Sequence, residues 1–304
     1  MERIKQALEK ARLERQKLGG VSGPLHTGGS GDATSQSIIY TQTRTVPVAK
    51  EILREERIIC GIEQNAFTDA YKILRTQVLQ RLRENKWNAL AVTSPGISEG
   101  KTVTAINLAI SLVMEVDCTV LLVDADLRSP GVHSHMGIGA EHGLSDYLVA
   151  DMPLAELLVH PAEIPGLVIL PGGKSLSNSA EMLSSPKMVR LVDELKSRYS
   201  SRIILFDLPP LLNTADTLAF SPYVDAALLV LEDARTQAED AKRAVELLQQ
   251  STNVLGTVLN KSWAQMVAAK DDTPPGRFAD WQNRFTLIGA MVANLFGKHS
   301  KQKT

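Results

Sequence analysis

From about residue 46 the chain alternates short, uninterrupted apolar runs with longer stretches in which apolar residues return every three or four positions. Phe67, Tyr71, Leu74, Val78 and Leu82 fall at steps of four and three, which predicts a helix resting one face on a core. Ala89-Leu90-Ala91-Val92 predicts a strand, Thr102 to Met114 an apolar helix, and Thr119 to Val123 a second strand. Leu167 to Leu170 reads as a short strand ended by Pro171-Gly172-Gly173, and Met188 to Tyr199 as an amphipathic helix. Ile203 to Phe206, Ala226 to Leu231 and Val254 to Leu259 are further strands, with a helix over Ala238 to Gln250 before the last. Strands that are apolar at every residue belong in a sheet covered by helices on both faces. The expected fold class is therefore α/β, with a parallel sheet whose ligand site lies at the carboxyl ends of the strands.

The flanks differ from this core. Residues 1–18 are rich in Lys, Arg, Glu and Leu, with Ile4, Leu8 and Ala11 at helical spacing, which predicts an amphipathic helix too narrow in its apolar stripe to fold alone. Residues 19–45, which include Gly28-Gly29-Ser30-Gly31, read as a flexible linker. The core domain is expected over 46–265, followed by a polar breaker and a tail over 266–304. Within the tail, Trp281, Phe285, Ile288, Val292 and Leu295 repeat at helical steps, and Lys298, Lys301 and Lys303 follow. That pattern suits a membrane surface or a partner groove, so peripheral membrane contact is expected through 281–298.

Composition narrows the setting. A net charge of −1 gives no argument for a nucleic-acid partner. The two cysteines, Cys60 and Cys118, are far apart in apolar surroundings and read as reduced core thiols of a cytoplasmic protein. The first residues, Met-Glu-Arg-Ile-Lys-Gln, carry no secretory signal, and no run of about 18 apolar residues predicts a membrane span. The location expected is cytoplasmic, with peripheral contact at the inner face of the plasma membrane.

The chemistry concentrates in three places. Pro95 to Thr102 has the spacing of a phosphate-binding loop, with Pro95 where the first glycine is usual. Gly96 and Gly100 let the backbone turn its N–H groups inward, and Ser98, Glu99 and Val103 complete the stretch around the phosphates. Lys101 would bridge the β- and γ-phosphates of ATP, and the Thr102 hydroxyl would coordinate Mg²⁺. Asp124 and Asp126 end a buried strand, and Asp207 ends another; such buried acids call for a cation or hydrogen bonds. Arg128 would neutralise an acid or contact a neighbouring molecule. His133 and His135 lack the companions of a metal site.

These residues resemble the bacterial tyrosine autokinases of exopolysaccharide loci. The resemblance rests on Thr-Ser-x4-Glu-Gly-Lys-Thr, Val-Asp-Ala-Asp-Leu-Arg-x-Pro and Phe-Asp-Leu-Pro-Pro-Leu-Leu in that order, and covers roughly residues 46–262. The N-terminal Met-Glu-Arg-Ile-Lys-Gln-Ala-Leu resembles the exosortase-associated branch most closely. The resemblance implies a P-loop NTPase-like fold and Walker A, A′ and B motifs. It also implies MgATP on Lys101 and Thr102, metal binding and activation of a tyrosine hydroxyl by Asp124 and Asp126, and metal support from Asp207. Asn260 would face the adenine, or serve as an ordinary turn residue. A membrane chain-length-determinant activator and a homo-oligomer are the partners implied.

Two features depart from the family. Its Glu-x2-Arg-x2-Arg assembly motif reads Asp69-x2-Lys72-x2-Arg75, and lysine does not copy arginine's two-pronged donor. The usual C-terminal tyrosine cluster is absent: the tyrosines are Tyr40, Tyr71, Tyr147, Tyr199 and Tyr223, of which Tyr40 is the expected accessible one and Tyr71 a core residue. The competing reading is a non-kinase ATPase switch like the Min and partition proteins. A dinucleotide-dependent oxidoreductase is set aside, because the loop carries Gly-Lys-Thr rather than three spaced glycines.

Overall fold

The structure, a computed structural model, describes residues 43–60, 62, 65–198 and 202–262. The helix expected over 1–18, Tyr40, Tyr199 and the tail over 281–298 lie outside the described residues. The chain begins with β1 (Arg44–Val46), α1 (Lys50–Glu55), α2 (Ala66–Asn85) and β2 (Ala89–Thr93), followed by α3 (Lys101–Val113) and β3 (Thr119–Asp124). Three short helices come next, α4 (Val132–His135), α5 (Leu144–Ala150) and α6 (Leu154–Leu157), then β4 (Val159–Pro161) and β5 (Leu167–Leu170). The remainder is α7 (Ser179–Leu183), α8 (Pro186–Arg198), β6 (Arg202–Asp207), α9 (Asp216–Phe220), β7 (Ala226–Glu232), α10 (Ala238–Gln249) and β8 (Asn253–Asn260).

The eight strands form one sheet in the order β1-β4-β5-β3-β6-β2-β7-β8. Its strand pairs are parallel except β4 with β5, which meet antiparallel at Val159 and Ile169. The sheet is thus mixed where the sequence predicts a parallel one. The difference arises from β1 and β4, three residues each, too short for either to show a periodic signal. β1 also overlaps the last two residues of the expected linker.

The apolar runs are explained by two cores. Leu90 and Val92 of β2, Val120 and Leu122 of β3, and Leu205 of β6 pack on one face with α3. Ala89 and Ala91, Leu121 and Val123, and Ile204 and Phe206 pack on the other with α8, through Met188, Leu191 and Val192. Alternate residues of a strand point to opposite faces, so a strand apolar throughout feeds both cores. On the first face α2 starts at a capping box, in which Asn65 accepts from the Phe67 and Thr68 N–H groups and Thr68 returns a bond to the Asn65 N–H. α2 ends at Lys86 in left-handed conformation, and buries Val78, Leu79 and Leu82.

Within α2, Asp69 and Lys72 pair on the surface at 2.8 Å, whereas Arg75 turns inward. It pairs with Glu115 at 2.6 Å and donates to the Ser111 carbonyl at 3.0 Å, so this residue of the altered assembly motif is engaged inside its own chain. Cys60 is buried and its thiol is pushed up to about 12 by burial, which fits an unreactive core thiol. Cys118 is also free, half-buried and raised by burial. Among the described residues no helix is long and apolar enough to cross a membrane.

Candidate nucleotide site

The site is set by strand register. β3, β6 and β2 are neighbours, and Asp124 stands beside Asp207 while Asp207 stands beside Val92. β2 therefore launches its following loop over the two acids that end the adjacent strands. Lys101 opens α3, a helix whose first N–H groups have no intrahelical partner and point at the same place. Val103 packs against the core with its side chain, leaving its backbone for the loop.

The loop is braced from outside. Glu99 is buried, accepts the Gly96 N–H at 2.9 Å through one oxygen and the Thr236 hydroxyl at 2.6 Å through the other. Asn260 donates its amide to the Glu99 carbonyl at 3.0 Å, and Lys261 donates to the Ser98 carbonyl at 2.8 Å. Ser98 and Gly100 have φ of 61° and 93°. A side chain at Gly100 would also meet the Asn260 amide at 2.0 Å, so both conformation and space demand glycine there. A cleft of about 420 Å³ opens on the far side of the loop, between Pro95 to Ile97, Leu212 and Asn213, and Arg243.

Inside, the predicted residues converge. Lys101 Nζ lies 2.8 Å from Asp126 Oδ2 and 3.7 Å from Asp207 Oδ2. The Thr102 hydroxyl donates to Asp207 Oδ2 at 2.7 Å and accepts from Lys101 at 3.1 Å. Asp124 accepts the Gly131 and Val132 N–H groups at 2.9 and 3.0 Å on its Oδ2. Burial works against the Lys101 charge, but Asp207 and Asp126 outweigh it and hold its pKa above the ordinary value. Asp124 is pushed up to about 8 by burial and by Asp207, while Asp207 is raised by burial against the pull of Lys101.

The donor set fits a hard divalent cation. Asp124 Oδ1 and Asp207 Oδ1 are buried with no hydrogen-bond partner, which is costly for a carboxylate unless something positive or protic meets it. With the Thr102 hydroxyl they supply oxygen ligands only, as Mg²⁺ prefers, and Mg²⁺ usually adds water and phosphate to one or two carboxylates. Among the described residues no cluster of three or more His, Cys, Asp or Glu could hold a metal ion by itself.

A pH prediction follows from the same acids. With its folded pKa raised, Asp124 holds a proton that the unfolded chain has lost above pH of about 4. More protons bound in the folded state make stability fall with pH: this contribution is complete below about pH 4 and lost as pH rises through about 8. A cation favours the ionised carboxylate, so Mg-nucleotide binding at pH 6.5 is expected to release a proton. Calorimetry in buffers of differing ionisation enthalpy should show that release in the wild type and its loss in Asp124→Asn; equal release in both would contradict the assignment.

Not every sequence expectation lands in the site. Arg128 neutralises an acid, but that acid is Asp216, at 3.0 Å, away from Lys101. Asn260 lies against the back of the loop, its amide engaged with the Glu99 carbonyl. His133 has a buried, unpartnered Nδ1 and a pKa lowered by burial, and His135 pairs with Glu56. Three contributors escaped the sequence reading. Thr236 reaches Glu99 from 137 residues away. Asp216 is fully buried beneath Arg128. Gly172 lies so close that a side chain there would stand 2.7 Å from Pro130 and 3.2 Å from the Asp124 carboxyl. Only the Pro171-Gly172-Gly173 run hinted at the last of these.

Comparisons agree with this geometry. The profile of the family described as "AAA domain" matches residues 94–255. "Tyrosine-protein kinase YwqD" of Bacillus subtilis is 31% identical over 194 residues, covering 64% of this chain and 80% of that protein. "Tyrosine-protein kinase ptk" of Acinetobacter johnsonii is 28% identical over 193 residues, 63% of this chain, and the match spans 26% of that protein's length. The solved kinase domain of Escherichia coli tyrosine kinase ETK superposes with a TM-score of 0.63 at 25% identity, covering 73% of this chain and 88% of that one. The family span, the relative covered over most of its length and the shared kinase-domain fold together place the chain in the bacterial tyrosine autokinase family, built on an AAA-type P-loop domain.

Proposed function

We propose that the chain is an ATP-dependent protein-tyrosine kinase using Mg²⁺. The observation that carries the reading is the convergence of Lys101 and Thr102 on Asp124, Asp126 and Asp207, with two carboxylate oxygens buried and unpartnered. Lys101 leaves Asp126 to bridge the β- and γ-phosphates, where its charge offsets the charge that develops in transfer. Asp124, Asp207 and Thr102 hold the cation, which draws charge from the phosphate oxygens when bound. Asp126, freed of its lysine, takes the proton that a tyrosine hydroxyl of pKa about 10 must lose as transfer proceeds. Gly96, Ser98, Glu99, Gly100 and Val103 shape the loop around the phosphates, and Asn260 braces it at the Glu99 carbonyl. By the family resemblance, the setting is exopolysaccharide polymerisation or export, with a membrane chain-length-determinant activator and assembly into a homo-oligomer.

A second reading, an ATPase switch like the Min and partition proteins, is favoured by the described tyrosines. Tyr71 is half-buried, with its phenol raised by burial. Tyr147 lies under Lys187, with 4.7 Å from Nζ to the ring centre, and Tyr223 packs edge-on to Phe220. All three rings pack against their own chain, so under the kinase reading Tyr40, Tyr199 or a second polypeptide is the expected acceptor. Incubation with ATP labelled on the γ-phosphate decides between the two, with Lys101→Met as control. Label on tyrosine in the wild type alone supports the kinase; free phosphate with unlabelled protein supports the switch; neither product contradicts both.

A further inference from the structure

We infer that Arg128 is a positioning residue: through the buried carboxylate of Asp216, itself locked by Ser179, it fixes the loop that presents Asp126 to Lys101. The Arg128 Nε donates to Asp216 Oδ2 at 3.0 Å, and the Ser179 hydroxyl donates to Asp216 Oδ1. Asp216 is 0% exposed while the arginine remains 43% exposed, so the buried acid is the fixed point and the arginine is its cation. A carboxylate that deep needs both partners, because an uncompensated buried charge is strongly unfavourable.

The connection runs between the segments that carry the site's acids. Arg128 sits two residues after Asp126, and Asp216 opens α9, which follows the loop leaving Asp207. That loop is held in turn by the Thr217 and Thr93 hydroxyls, which both donate to the Pro209 carbonyl, at 2.7 and 2.8 Å. On the other side, the Leu176 N–H donates to the Leu127 carbonyl at 2.8 Å and the Ser175 hydroxyl to the Arg128 carbonyl at 2.6 Å. Ser179 stands on α7, which packs beside α9 and its Asp216.

The consequence concerns the moment when Lys101 turns to a triphosphate. Asp126 then loses its ion partner, and of its own bonds keeps the Ser129 N–H at 3.1 Å. The loop's anchorage at Arg128 keeps that carboxylate aimed at the reacting atoms. Lysine places a carbon, Cε, where the arginine has its Nε donor, so charge alone does not reproduce the anchor.

This inference rests on the nucleotide-dependent reading and is tested on total ATP consumption, transfer plus hydrolysis, with thermal unfolding as a check on folding. Arg128→Gln, Asp216→Asn and their double variant are each expected to lower kcat by about 10²-fold, the scale of a small misplacement of a reacting group. KM for ATP stays near the wild-type value, and the double is no worse than the more impaired single. Arg128→Lys does not recover kcat, and Ser179→Ala, which deletes one hydroxyl, lowers it in the same direction by less. Wild-type kcat in Asp216→Asn beside a collapsed kcat in Arg128→Gln would overturn the proposal, since the arginine would then act on the phosphates itself. Multiplying losses in the double variant would overturn it as well. A wild type that consumes ATP without labelling tyrosine would remove the kinase reading and leave this test standing.

Discussion

Lys101→Met is expected to lower ATP turnover by about 10³-fold or more, the scale on which a single cation at a transferring phosphoryl group acts. The same change destabilises the protein before any nucleotide binds. Lys101 is the cation held at 2.8 Å by Asp126 and at 3.7 Å by Asp207, both nearly or wholly buried. Removing one partner from a buried pair typically costs about 3–5 kcal/mol, and a carboxyl able to pick up a proton recovers part of it. The loss therefore depends on pH. Lys101 opposes the rise of the Asp207 pKa, so without it Asp207 binds its proton more tightly in the folded state, and the unfolding temperature falls further at pH 8 than at pH 5.5. Thermal unfolding of both proteins at the two pH values checks this, and a deficit that is equal at both, or larger at pH 5.5, would show that Lys101 does not compensate these carboxylates.

Asp207→Asn is expected to inactivate without destabilising. Burial already opposes the Asp207 charge, and its Oδ1 has no partner. An amide of the same shape removes that burden and leaves an oxygen for the Thr102 hydroxyl. The folded variant should match or exceed the wild type in unfolding temperature when nucleotide is absent. Turnover should fall by about 10²–10³-fold, the range seen when one preorganised electrostatic element is lost. The paired result is diagnostic, because a residue kept for packing would lose stability first. Full activity in Asp207→Asn, or a large drop in unfolding temperature, would contradict the assignment.

Much of the fold was legible because strand and helix carry different periods. The runs at Ala89, Thr119, Ile203 and Ala226 were apolar on both faces, and that requires helices on both sides. β1 and β4 were not legible: Val159-His160-Pro161 is too brief for a period, and the pairing that turns it antiparallel is set by its neighbours. In the site, Lys101, Thr102 and the three aspartates were readable since each is tied locally to a strand end or helix start. For Arg128 the sequence suggested that it neutralises an acid but not which one, because its partner Asp216 lies 88 residues away and leaves no local trace. The Glu99 brace on Thr236 was hidden in the same way, as was the close approach of Gly172 to Asp124.

Lys101, Thr102, Asp124, Asp126 and Asp207 are expected to act as one magnesium-dependent nucleotide site. Equilibrium binding of ATP to the purified chain, with Mg²⁺ and with Mg²⁺ removed by chelation, tests it most directly when Asp207→Asn is measured alongside. One ATP per chain is expected, bound more tightly with Mg²⁺ in the wild type and with little Mg²⁺ dependence in Asp207→Asn. No binding in the wild type, or the same Mg²⁺ dependence in both proteins, would contradict it.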